Sequence, residues 1–96
     1  MSLLSDAEID EALADIPDWC RDGGALRTEI RFRTFAEAFA MATRVALLAE
    51  KRNHHPDLTV GWGRLGIALT SHDAGGITRR DTDMARAIAE WTRSKG

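Results

Sequence analysis

Ile9, Leu13 and Ile16 recur at helical spacing, which predicts one apolar helix face. Ser5-Asp6-Ala7-Glu8 stands just ahead of them. It reads as a capping box, in which the Ser5 hydroxyl and the Glu8 carboxylate satisfy free amide donors of the first turn. Pro17 ends the pattern. The period then falls to two. Leu26, Thr28, Ile30 and Phe32 point one way and Arg27, Glu29 and Arg31 the other, as in a strand with one wet face. With Trp19 to Asp22 before it and Gly23-Gly24 between, this segment reads as a β-hairpin over residues 19–33.

Thr34-Phe35-Ala36-Glu37 repeats the capping signal and opens a long helix to about Arg52. Phe35, Phe39, Ala42, Ala46 and Ala49 form one stripe, with Met41, Val45 and Leu48 beside it. So wide an arc is expected to touch the sheet and a second surface, such as another subunit. Asn53 and Pro56 bracket the helix end. Leu58 to Trp62 and Leu65 to Thr70 predict a second hairpin around Gly63-Arg64. On that turn Trp62 faces Leu65, Val60 faces Ile67 and Leu58 faces Leu69, an all-apolar core face that includes Trp62. After a glycine-containing loop, Thr78-Arg79-Arg80-Asp81 caps a third helix carrying Met84, Ile88 and Trp91 on one side. The order α-β-β-α-β-β-α over one domain, residues 1–96, predicts an α+β fold, a four-stranded antiparallel sheet with three helices on one face.

Composition narrows the possibilities. A chain of 96 residues buries only about two-thirds of its extended surface, so self-association is an expected source of stability. The net charge of −2, with both signs scattered, argues against a surface that tracks phosphates, and direct nucleic-acid binding is not expected. Cys20 is the single cysteine. It forms no internal disulfide, excludes a thiolate zinc site within one chain, and reads as a small buried hydrophobe. The first ten residues lack the pattern of a signal peptide and no apolar run approaches a membrane span, so a cytoplasmic protein is expected.

His54, His55 and His72 are the only histidines. Continuing the hairpin register places His55 opposite His72, with Cβ atoms about 5 Å apart. All three imidazoles then gather at the open end of the hairpin, beside the end of the long helix and the loop into the third. Three readings follow. They can be polar residues at element ends, where an imidazolium favours the helix dipole. They can hold zinc, although adjacent His54 and His55 side chains diverge in most backbone conformations. Or they can serve acid–base catalysis, which suits an imidazole at neutral pH.

The segment Glu50-Lys51-Arg52-Asn53-His54-His55-Pro56-Asp57, Trp62 on the following strand, Thr70-Ser71-His72-Asp73-Ala74-Gly75-Gly76-Ile77-Thr78 and then Asp81 resembles the pterin-4a-carbinolamine dehydratase family. The resemblance implies a cytoplasmic hydro-lyase that dehydrates 4a-hydroxytetrahydropterin to quinonoid dihydropterin. That step recycles the tetrahydrobiopterin used by aromatic amino-acid hydroxylases. It implies a homodimer or homotetramer, no metal and no cofactor, the pterin being the substrate. The family's histidines fall on His54, His55 and His72, and its last acid on Asp81. His54 and His72 are then the acid–base candidates, and His55 binds the pterin and orients the others. Pro56, Asp57, Ser71 and Asp81 complete the substrate-binding set.

Asp81 has two readings, orienting a histidine or capping the third helix. Glu50 either polarises a neighbour, stands as a solvated charge, or pairs with Lys or Arg. Some relatives carry an aromatic where this chain has Leu58. The family also contains binding partners of a transcription factor and assembly helpers of a carbon-fixing enzyme. A non-enzymatic dimerisation or assembly protein is therefore the alternative.

Overall fold

In the computed structural model, which describes residues 2–93, the chain runs α1 (Asp6–Ala14), β1 (Cys20–Asp22), β2 (Ala25–Arg31), α2 (Phe35–Arg52), β3 (Asp57–Gly61), β4 (Arg64–Leu69) and α3 (Arg79–Arg93). The expected domain span of 1–96 reaches past this range, and Met1 and residues 94–96 lie outside the described residues. The sheet has four strands in the order β1-β2-β4-β3, every pair antiparallel. β4 thus sits in the interior and β3 on an edge. The helices pack on one face, so β2, β3 and β4 alternate in burial, while the three residues of β1 are all exposed. Leu65, Ile67 and Leu69 of β4 are buried, while Arg27, Glu29 and Arg31 of β2 face out. Ile9 and Ile16 from the α1 segment, Val45 of α2, and Met84 and Ile88 of α3 close the core over Leu26 and Trp19. Among the described residues no helix is long and apolar enough to cross a membrane.

The cap at Ser5 forms as read: Ser5 Oγ accepts from the Glu8 amide at 3.1 Å, and Glu8 Oε1 accepts from the Ser5 amide at 2.8 Å. At α2 only half of the box closes. Thr34 Oγ1 accepts from the Glu37 amide, but Glu37 Oε1 reaches one residue further back, to the Arg33 amide at 3.0 Å. Gly23 and Gly24 form the first hairpin turn, with Asp22 paired to Ala25.

Four expectations change. The second hairpin turns on Trp62-Gly63, not Gly63-Arg64: Gly61 pairs with Arg64, Val60 with Leu65 and Leu58 with Ile67. Gly63 takes the positive φ of 68°, which favours glycine at the second central position of such a turn. A side chain there would also crowd Phe32 O, 3.0 Å from the Cβ position. The shift displaces the pairing by two residues, so every strand residue keeps its face. Trp62 alone moves, from the core to the turn tip, where it is 79% exposed. Cys20 is exposed rather than buried, because it lies in the three-residue edge strand β1. On α2 the buried line is Ala38, Ala42, Val45 and Ala49. Phe35 and Phe39 instead stack outward against each other, ring centroids 5.9 Å apart. Small residues on the sheet side let the helix approach closely and rotate the larger ones into solvent.

Candidate active site

α2 ends where Asn53 enters the left-handed region, φ 51° and ψ 44°, its amide donating to the carbonyls of Ala49 and Glu50. Asparagine tolerates this conformation better than other residues bearing a Cβ. The amide of His54 closes the cap on Ala49 O at 3.0 Å. Pro56 holds the preceding residue out of helical geometry, so the chain leaves extended toward β3. Successive side chains on extended backbone point opposite ways. His54 accordingly turns inward, with 7% of its surface exposed, and His55 outward.

His54 meets a carboxylate there. Asp81, wholly buried in the first turn of α3, places Oδ1 at 2.5 Å from His54 Nε2. Its Oδ2 accepts from the Thr78 amide at 2.9 Å and from Ser71 Oγ at 2.8 Å. One oxygen caps the helix and the other faces the imidazole, so the two sequence readings of Asp81 coexist. Ser71 and Thr78 also bond to each other, 2.8 Å between hydroxyl oxygens. A hydroxyl has one proton. Ser71 gives its own to Asp81, so Thr78 donates to Ser71 and in turn accepts from the Arg80 amide at 3.2 Å. Every hydroxyl and amide hydrogen in this buried chain points toward Asp81. A neutral His54 that donates Nε2–H to it presents Nδ1 as a lone pair.

The other two histidines are placed differently. The β3–β4 ladder begins at the pair Asp57–Ala68, so His55 precedes the strand and does not face His72 across it. Its Nε2 lies 2.6 Å from Glu50 Oε1, on the surface. Glu50 pairs with a histidine rather than with Lys or Arg. Pro56 is half-buried, and Asp57 opens β3 exposed. His72 starts an exposed turn over residues 72–75 that is pinched by a bridge between Ser71 and Gly76. Gly75, at φ 80°, donates to Ser71 O at 2.9 Å. Among the described residues the His72 side chain makes no hydrogen bond. Asp73 receives Arg80 Nη2 at 2.6 Å, and this bond holds its carboxyl below the usual carboxylate range.

The structure therefore joins His54, Ser71 and Asp81 directly. His72 follows Ser71 in the chain, and His55 follows His54. The buried Thr78, read from the sequence only as a helix cap, is the fourth member of the network. Its hydroxyl three residues ahead of an acid was the available signal. A cleft of about 410 Å³ between the α1–β1 link, β2 and the far half of α3 is lined by Ile16, Trp19, Ile30 and Ile88 among others, and by none of the network or histidine residues.

Residues 2–91 match the family model for pterin 4 alpha carbinolamine dehydratase. The chain belongs to this family. A pterin-4-alpha-carbinolamine dehydratase, so named provisionally, from Thermomicrobium roseum is 49% identical over 90 residues, covering 94% of this chain and 97% of the relative. One from Roseiflexus sp., with the same provisional name, is 45% identical over 87 residues, 91% and 94% of the two chains. Among solved structures, a transcriptional coactivator/pterin dehydratase from Brucella melitensis superposes with TM-score 0.85 at 32% identity, over 90% of this chain and 94% of its own. A pterin dehydratase-like RuBisCO assembly factor of the alpha-carboxysome shares the fold alone, TM-score 0.60 at 19% identity over 75% and 83% of the chains. The element order of the pterin dehydratases is the one described above.

Proposed function

We propose that this protein dehydrates 4a-hydroxytetrahydropterin to quinonoid dihydropterin in tetrahydropterin recycling, by histidine acid–base catalysis. The observation that carries the reading is the buried Asp81 carboxylate against His54 Nε2, within a chain of this family. The reaction removes the proton on ring N5 and the hydroxyl on C4a, and releases both as water. One group must accept the N5 proton while another gives a proton to the departing hydroxyl. His54 suits acceptance: Asp81 fixes the tautomer, leaves Nδ1 free and stabilises the imidazolium that forms, as a carboxylate does behind a catalytic histidine elsewhere. His72, an unencumbered imidazole on the adjoining turn, serves as the donor. His55, with Pro56 and Asp57, binds the pterin from the side of the α2–β3 link. Ser71 and Asp81 act from beneath. Only protons and water move, so the reading calls for no metal or cofactor.

Association belongs to the same proposal. Phe35, Phe39 and Leu47 of α2 are 47%, 55% and 67% exposed and lie on one side of the helix, a surface suited to a second copy of the chain in a homodimer or homotetramer. A cytoplasmic location follows from the proposed substrate recycling. The alternative, an assembly or dimerisation partner without catalysis, gives no reason for a buried carboxylate to be aimed at an imidazole. The deciding experiment feeds pre-formed carbinolamine to purified protein and follows formation of the quinonoid product. Release no faster than the spontaneous rate would rule the enzyme out.

A further inference from the structure

Residues 80 and 81 are neighbours at the start of α3, and each holds a different histidine-bearing segment. Asp81 holds His54. Arg80 reaches the turn that carries His72, donating from Nη2 to Asp73 Oδ1 at 2.6 Å. Among the described residues this is the only side-chain hydrogen bond made by residues 72–75; the rest of the turn is held by backbone bonds at its base. Arg80 is poorly explained as a stabilising residue. A cation in the first turn of a helix opposes the helix dipole. Its Nε is buried without a hydrogen-bond partner among the described residues, which is unfavourable for a donor. The pair it makes is 30% and 66% exposed, and exposed pairs contribute little stability. What the arrangement does supply is geometry, since a planar guanidinium fixes the carboxylate it binds more tightly than an ammonium would.

We infer that Arg80, through Asp73, is a positioning residue that sets His72 relative to His54, so that a single helical turn fixes both imidazoles. As a role in catalysis, this rests on the dehydratase reading above. The depressed Asp73 carboxyl keeps the pair charged through the neutral range.

The test has two arms. The first follows the His72 and His54 ring signals by NMR across the imidazole titration range. Arg80→Met and Asp73→Asn should move the His72 signals and leave those of His54 in place, and Arg80→Lys should move them less. Unmoved His72 signals overturn the inference whether or not the protein turns over pterins. The second arm measures turnover of pre-formed carbinolamine. Arg80→Met should lower kcat about tenfold with KM changed by less than about twofold, and Asp73→Glu should recover most of the loss seen in Asp73→Asn. In a His72→Gln background Arg80→Met should lower kcat no further. A loss that adds in full to that of His72→Gln overturns the inference and leaves the dehydratase reading standing. A wild type without turnover overturns that reading, and the NMR arm then decides alone whether the pair positions His72. Thermal unfolding of each variant confirms that the comparison is made on folded protein.

Discussion

His54 Nε2 and Asp81 Oδ1 stand 2.5 Å apart, joining the end of α2 to the first turn of α3 across 27 positions of sequence. The same two helices also meet further along, where the Arg44 guanidinium lies 4.0 Å over the Trp91 ring. Asp81 also satisfies the Ser71 hydroxyl and the Thr78 amide. Asp81→Asn therefore affects both stability and chemistry. The amide offers one acceptor where the carboxylate offered two, so a buried donor is left short, at about 1–3 kcal/mol by chemical denaturation. kcat should fall by about 10²-fold or more through the lost tautomer control. Combining Asp81→Asn with His54→Gln should cost little more than either alone, because the two act as a unit.

The histidines should separate by kinetic parameter. Gln at position 54 or 72 is expected to lower kcat by about 10²-fold or more, the usual contribution of a positioned acid or base. Gln at 55, which rests on the exposed Glu50, should mainly raise KM. Steady-state kinetics on pre-formed carbinolamine distinguishes these outcomes. Equal losses in both parameters for all three variants would contradict the assigned roles.

Asn53 offers a backbone test. Its φ of 51° is free to glycine, so Asn53→Gly should leave the melting temperature nearly unchanged. Asn53→Val must hold a β-branched residue in the left-handed region and should lose about 1–2 kcal/mol. It should also lose activity, since this residue turns His54 inward. Thermal unfolding and turnover measured together check both.

Acid should weaken the fold through two surface carboxyls. Asp73 is held low by Arg80, and Glu8 by its bonds to the Ser5 backbone and hydroxyl. A carboxyl whose folded pKa lies below its unfolded one contributes stability above the unfolded value, about 4. That contribution is lost as pH falls through the folded value. Asp73→Asn and Glu8→Gln should each lower stability at neutral pH only slightly, because both carboxyls are exposed, and flatten the acid limb of a denaturation series below about pH 4.

Glutamate in place of Phe39 or Leu47 should reduce the mass measured by light scattering, with the fold kept as judged by circular dichroism. Unchanged mass in both would place the subunit contact elsewhere.

Local chemistry made most of this architecture legible. Ser5, Thr34, Asn53, Thr78 and the paired Gly23-Gly24 each announce a boundary that the backbone obeys, and the element order followed from them. The core faces of β2 and β4 were equally plain in their alternation. The register of the second hairpin was not. Displacing the pairing by two residues returns the same apolar pattern, so Leu58, Val60, Leu65 and Ile67 fit both arrangements. What distinguishes them is whether Gly63 stands second or first in the turn, and glycine at positive φ suits both positions. The outward stacking of Phe35 and Phe39 escaped for a related reason: an arc too wide to be wholly buried does not say which part faces the sheet. At the site, Asp81 and Ser71 were in view as members of a motif. That Thr78 would link them, and that His55 would turn to Glu50, depended on tertiary placement.

The order of these elements along the chain has a biosynthetic consequence. His54 and every strand of the sheet precede, in order of synthesis, Asp81, the carboxylate that faces the imidazole. The inward imidazole gains its acceptor only when α3 is in place. A molecule whose α3 has come away from the sheet keeps His54 but loses the carboxylate that faces it.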